Sequence, residues 1–304
     1  MAYRLDPELP TPIELRRLLR EQLDAAVALL RGPEPPAGDQ LHDARVHVKK
    51  ARSVVRLARG DIGRAVARHA NAELRAVNRS LAEARDDDSI QECLARLAEV
   101  AADDAEAGAL AAVRAVVVDP AAGPPSLTRS TAHGAAHTLA RTATWIDQVP
   151  PRHEGWSALA SGFGREYRRG RDAYLALGED PTVDQLHHWR ARVKSCDHHQ
   201  QVLRRLWPAA QRPLRRTAAE LAQLLGDDHD LAVLRGGLTS GRWPIGPVDR
   251  DVVVSIVDAE RLRLQVEARE LGGFLYADEP TAWVARHGAW WGHRLTCSSG
   301  PRPA

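Results

Sequence analysis

Apolar residues in this chain recur every three or four positions, and no segment sustains the strict alternation of a half-buried strand. That rhythm predicts helices that each bury one face, and so an all-α protein. Thr11-Pro12-Ile13-Glu14 supplies a start signal: a capping Thr, a Pro suited to the first helical position, and a Glu placed to complete a capping box. The helix it opens runs to Leu30, where Gly32-Pro33 stops it. Further helices are predicted over 39–59 and 64–85, with Gly60 and Gly63 marking the corner between them. Asp86-Asp87-Asp88 interrupts the pattern, and a more acidic helix or helix pair continues to Val118. Pro and Gly then cluster in 119–125, the best linker candidate in the chain. Helices follow over 126–147 and 156–177. Thr182-Val183-Asp184-Gln185 is a second capping box, whose helix runs to Leu206 and closes at Trp207-Pro208. A long helix to Arg235, a loop over 236–248, and helices over 249–271 and 280–295 complete the pattern, leaving 296–304 as a disordered tail.

The pattern also repeats. Leu41-His42-Asp43-Ala44-Arg45-Val46-His47-Val48-Lys49 aligns with Leu186-His187-His188-Trp189-Arg190-Ala191-Arg192-Val193-Lys194 on the skeleton L-H-x-x-R-x-x-V-K. At nearly the same offset, 81–86 aligns with 225–230, pairing Asp86 with Asp230. Two matches at one offset imply a duplicated helical unit, with a first half over 10–118 and a second over 126–295.

Projected on a helix, Leu41, Ala44, Val48, Ala51 and Val55 form an apolar seam. His42, Arg45, Lys49, Arg52 and Arg56 run beside it as a cationic stripe. In the second copy Leu186, Trp189, Val193 and Cys196 form the seam, and His187, Arg190 and Lys194 the stripe. A stripe of charge is ordinarily a solvated face. Two facts weigh against that here: the same residue types return in the same register, and no acidic residue between Arg45 and Arg59 pairs with the bases. A cationic stripe next to a bundle seam is placed to line a cleft between helices.

Composition changes this picture little. Ala, Leu and Arg dominate, with two Phe and four Tyr, which suits helix. The net charge of +2 announces no anionic partner by itself, so the distribution of charge matters more. Cys93, Cys196 and Cys297 are scattered without a CxxC, which argues against a disulfide framework and suits buried small side chains in a reducing compartment. The first residues lack the apolar core of a signal peptide, and the most apolar run, 107–118, is broken by Arg114 and too short to span a bilayer. A cytoplasmic protein without membrane contact is expected.

The remaining chemistry-bearing residues read more simply. Asp86, Asp87, Asp88, Asp227, Asp228 and Asp230 are expected to position arginines or cap helices rather than hold a metal. His133 and His137 stand four apart, yet Gly134 stands where a zinc-protease helix carries Glu, so no metal site is expected there. Trp283, Trp290 and Trp291 are expected to pack in the core. No cofactor, nucleophile–base pair or Gly-rich phosphate loop is evident.

The histidine-helix pattern L-H-x-x-R-V-x-V-K-K-x-R of the first copy resembles the CHAD family, the conserved-histidine α-helical domain. So do Tyr167-Arg168-Arg169-Gly170-Arg171, the second histidine helix, Leu225-Gly226-Asp227-Asp228-His229-Asp230, Arg85-Asp86 and the Tyr276–Pro280 segment. The resemblance spans 10–295. It implies a single domain of two four-helix-bundle halves related by pseudo-twofold symmetry, with a basic cleft or channel between them. It also implies binding of inorganic polyphosphate and association with polyphosphate granules. Carried onto this sequence, the polyphosphate-facing residues are His42, Arg45, Lys49, Lys50, Arg52 and Arg56, then Arg168, Arg171, His187, Arg190 and Lys194. Asp86 and Asp230 would support them. Ala191 departs from the family pattern, and Asp197-His198 replaces its usual aromatic pair. These departures imply weaker binding by the second half, or pH-dependent use of His198 and His199.

A linear polyanion without bases needs a track of Arg and Lys, with no stacking aromatics. The expected function is therefore non-catalytic binding of polyphosphate or another phosphate-rich polyanion. Two alternatives remain open: a metal-dependent phosphohydrolase built on the Asp and His clusters, and a nucleic-acid-binding protein. The lack of aromatics among the basic residues argues against the second. A protein partner docking on the acidic 83–106 face is a further option.

Overall fold

The computed structural model describes residues 3–32, 36, 38–81, 86–117 and 127–299. Regular structure among them is entirely helical. In chain order the helices are α1 (Thr11–Leu30), α2 (Gly38–Leu57), the single turn α3 (Arg59–Ile62), α4 (Arg64–Ser80), α5 (Asp86–Glu99) and α6 (Asp104–Val117). They continue with α7 (Arg129–Asp147), α8 (Trp156–Leu175), α9 (Val183–Val202), α10 (Pro208–Thr239), α11 (Pro247–Leu275) and α12 (Pro280–Ser299).

The helices pack as two four-membered rings with a bridge between them. In the first ring α1 packs on α2 and α7, and α4 packs on the same two. In the second, α10 packs on α11 and α5, and α6 packs on the same two. Neither ring is a contiguous half of the chain: α5 and α6 join helices from after 200, and α7 joins helices from before 81. The bridge is α8 and α9, which pack on each other and on α2; α8 also holds α3 and α12, and α9 leans on α10.

Burial follows the sequence rhythm. Leu41, Ala44, Val48, Ala51 and Val55 are buried, as are Leu186, Trp189, Val193 and Cys196. They join one apolar core with Leu18, Leu23, Leu74 and Leu139. A second core gathers Leu94, Leu110 and Val113 against Leu234, Val253 and Val257. Full burial of each such side chain contributes roughly 1.5–3 kcal/mol. Glycine sets the closest approach: a Cβ on Gly162 would collide with the carbonyl oxygens of Arg56 and Leu57, so α8 and α2 meet backbone to backbone.

Local signals fared unevenly. Thr182 and Gln185 form the expected capping box. The first helix starts differently: Pro10 is its N-cap, and Thr11 lies inside the helix and makes no side-chain cap bond. Glu14 instead accepts the Asp6 backbone N–H at 2.8 Å and pairs with Arg17 at 2.6 Å. The expected loop at 236–248 is shorter, since α10 runs to Thr239 and α11 starts at Pro247. Residues 296–299 belong to α12, not to a disordered tail. The linker at 119–125 lies outside the described residues. No helix among the described residues is long and apolar enough to cross a membrane.

Candidate functional site

The cationic stripe of α2 divides along its length. Near its start His42 and Arg45 are half-buried and Lys49 is exposed. Lys50 lies 5.5 Å over the Tyr3 ring, whose hydroxyl donates to the Lys50 carbonyl oxygen at 3.0 Å. One turn on, Arg52 and Arg56 enter the region where α2 meets α8 and α9. Arg52 Nε donates to Asn71 Oδ1 at 3.3 Å. Arg56 Nε lies 3.6 Å from Glu166 Oε2, and Glu166 is 1% exposed. The other oxygen of that carboxylate faces Arg165 Nη1 at 2.7 Å and Arg169 Nη1 at 3.4 Å. Arg192 of α9 completes the group, feeling Arg169, Glu166, Arg56 and Arg165.

Three arginines thus pair with one carboxylate, and Arg52 and Arg192 feel its charge without touching it. Burial, then repulsion from Arg56 and Arg75, pushes the Arg52 guanidinium down to about 10. Burial, then Arg169, pushes Arg192 down to about 10. Both stay protonated at neutral pH, so the charge persists at an electrostatic cost. Burial alone would raise the Glu166 carboxyl, but Arg56, His199, Arg169 and Arg192 together outweigh it and hold it below the usual range.

The α9 stripe faces a different neighbour. Burial lowers Arg190, against the pull of Asp230 and Asp227. Lys194 is lowered by burial, against the opposing pull of Asp197. The His187 ring lies 4.8 Å from that of His229, and burial followed by Arg190 keeps it below its ordinary value. The two stripes come together around Asp197 and His198, which feel both Lys50 and Lys194. They do not run side by side: the α9 arginine that meets Arg52 and Arg56 is Arg192, not Arg190.

The aspartates act on arginines. Asp227 pairs with Arg96 at 3.1 Å. Asp228 is buried and accepts Arg261 Nε at 3.0 Å and Gln265 Nε2 at 2.7 Å. Burial raises the Asp230 carboxyl, against Arg190 and Arg96. The side chains of Asp86, Asp87 and Asp88 lie outside the described residues. Among the described residues no group of His, Cys, Asp or Glu is placed to hold a metal ion. His133 and His137 are both exposed.

Several expected roles change. His199 donates through Nε2 to the Ser53 carbonyl oxygen at 3.0 Å, and burial pushes it down to about 4. Burial and Arg56 push His198 down to about 3. Both values lie below the physiological range, which weighs against a pH-dependent part for them there. Arg171 is held by the Tyr276 carbonyl oxygen at 3.3 Å and by Glu279, tying α8 to the start of α12. Arg168 is exposed and, with Arg165, lines a pocket between α3, α8 and α12. Cys93 and Cys196 are buried as expected, whereas Cys297 is exposed. Trp283 and Trp291 are buried, with Trp283 stacked on Tyr167 at 4.3 Å; Trp290 is only half-buried, against Trp207.

Glu166, Arg165, Arg169 and Arg192 are absent from the sequence-derived set. Arg192 stands two residues from Arg190, so helical periodicity puts it off the stripe. The available signal was Arg165 and Arg169 flanking Glu166 at i, i+4 spacing in an otherwise basic run.

In comparisons with known proteins, the family model of the CHAD domain matches residues 15–239. No curated protein and no solved structure matches the chain.

Proposed function

The chain belongs to the CHAD domain family, and from that premise we propose that it binds inorganic polyphosphate without cleaving it. One observation carries the reading: three arginines of α2 and α8 pair with a single buried carboxylate while Arg52 and Arg192 stand within its electrostatic reach, leaving a half-buried excess of positive charge across three helices. A polyanion threading past α2, α8 and α9 relieves that repulsion and gains charge-assisted hydrogen bonds to planar guanidinium groups. Lys49, Lys50 and Arg45 extend the track along α2, and Lys194, Arg190 and His187 extend it along α9. On this reading the protein resides in the cytoplasm with polyphosphate granules.

Titration with long-chain polyphosphate at several salt concentrations tests the proposal. Two double variants divide the track: Arg45→Ala with Arg190→Ala, and Arg52→Ala with Arg192→Ala. Tight binding that weakens steeply with salt is expected, with the second pair losing more affinity than the first. Absence of binding at low salt overturns the reading. Displacement of bound polyphosphate by equal concentrations of DNA would favour a general phosphodiester binder instead.

A further inference from the structure

We infer that a second anion site, adjoining the arginine cluster around Glu166 and sharing Arg165 with it, lies between α3, α8 and α12 and takes an organic phosphate. The pocket has a volume of about 670 Å³, within the range of small-molecule sites. Arg59 and Arg64 line it from one side, Arg165 and Arg168 from the other. Gly60 brings these walls together: a Cβ there would lie 2.7 Å from the Ala158 carbonyl oxygen, so α3 rests directly on the backbone of α8. The approach is close enough that burial, then Arg165 and Arg64, lowers the Arg59 guanidinium.

None of the lining residues is acidic. Of the nearby carboxylates, Asp61 pairs with Arg16 at 3.0 Å, Asp278 with Arg286 at 2.7 Å and Glu279 with Arg171, while Glu166 takes up part of the charge of Arg165 and leaves Arg59, Arg64 and Arg168 to the pocket. The site therefore offers charge for more than one phosphate.

The floor decides the ligand class. Ala160, Gly164, Pro280, Val284 and Ala285 give it an apolar surface between the arginines. A bare phosphate chain has no apolar surface to set against that floor. An organic ester carrying two or three phosphates has both: phosphates for the guanidinium walls and a carbon body for the floor. The hydroxyls of Ser161 and Thr281 add polar contacts at the edge. The site shares Arg165 and α8 with the cluster, but the walls from α3 and α12 and the apolar floor belong to it alone.

Calorimetric titration at low salt, with adenosine triphosphate and inorganic triphosphate as probes of similar charge, tests it. Two variants are used. Arg59→Ala with Arg64→Ala removes one charged wall. Ala285→Trp fills the floor from an exposed position without changing charge. The nucleotide is expected to bind wild type about tenfold more tightly than inorganic triphosphate, and each variant to weaken it by at least about tenfold. Ala285→Trp should leave inorganic triphosphate and long-chain polyphosphate binding unchanged. Equal binding of the two probes, no binding of the nucleotide, or nucleotide binding untouched by Ala285→Trp each overturns the pocket. Joint loss of nucleotide and polyphosphate binding in Ala285→Trp overturns its separateness.

Discussion

Glu166 is the residue on which the basic cluster turns. It is both counter-ion and competitor: it steadies Arg56, Arg165 and Arg169, and it occupies charge that an incoming phosphate would use. The pair with Arg56 is the sheltered one, since that side chain is 17% exposed while water screens the other two arginines. Glu166→Gln is therefore expected to cost about 2–4 kcal/mol in urea unfolding, most of it from Arg56. It should also tighten polyphosphate binding and steepen its salt dependence, because one negative charge leaves the site. Weaker binding with an unchanged salt slope would mean that Glu166 orients the arginines more than it neutralises them. The folded carboxyl lies below its unfolded value of 4.5. Its stabilisation is complete above that value and fades as pH falls through the folded one, so the variant should lose this part of the acid-induced destabilisation. His199 works in a higher window. Its folded value of about 4 lies below the unfolded 6.5, so it stabilises fully above pH 6.5 and progressively less toward pH 4. The slope approaches about 1.4 kcal/mol per pH unit for one histidine. His199→Gln keeps a donor for the Ser53 carbonyl oxygen, and a flatter profile of unfolding free energy between pH 6.5 and 4.5 would confirm the assignment. His198 contributes in the same direction, over a range that extends down to about pH 3.

At the level of the element, what could be read from sequence was what depends on neighbours along the chain. The seams of α2 and α9 were legible because a period of 3.6 fixes which residues share a face, and those residues are buried. The Thr182 box was legible because both of its partners lie within four residues. The start of α1 was not, because distant contacts decide it: Glu154 accepts the Thr11 backbone N–H at 2.7 Å, and the segment before the helix claims Glu14. The two threonines should therefore respond differently. Thr182→Ala is expected to cost about 1 kcal/mol of stability, and Thr11→Ala less, since its Oγ1 makes no hydrogen bond. Equal losses in thermal unfolding would contradict the observed caps. The candidate site divided along the same line. Arg52 and Arg56 were legible as stripe residues, but which arginine faces them depends on how α9 is rotated against α2 and α8, and that is a tertiary fact. Gly162 carries that tertiary fact. Gly162→Ala pushes its methyl group into the Arg56 and Leu57 carbonyl oxygens, and should cost about 1–3 kcal/mol while moving Arg56 away from Glu166. Restoration of polyphosphate affinity to wild type in that variant would separate helix approach from binding.

For the whole molecule, the order of helices along the chain and their arrangement in space disagree, and that disagreement has a consequence for folding. The ring of α1, α2 and α4 is closed by α7, which follows the 119–125 segment in the chain. The ring of α10 and α11 is closed by α5 and α6, which precede it. A chain divided there would leave each piece with part of each ring. Leu94, Leu110 and Val113 would lose Leu234, Val253 and Val257, the other wall of their core. Leu18 and Leu23 would likewise lose Leu139 of α7. Exposed apolar faces of this size drive association rather than independent folding. Residues 1–118 and 126–304 made separately should therefore each unfold without a cooperative transition. Mixed in equal amounts, they should regain one, monitored by far-ultraviolet circular dichroism in urea. Because α2 lies in one piece and α8 and α9 in the other, polyphosphate binding should return only with the mixture. Separate cooperative transitions in the isolated pieces would show that each sequence half folds on its own, and the observed exchange of α5, α6 and α7 between rings would then not govern folding.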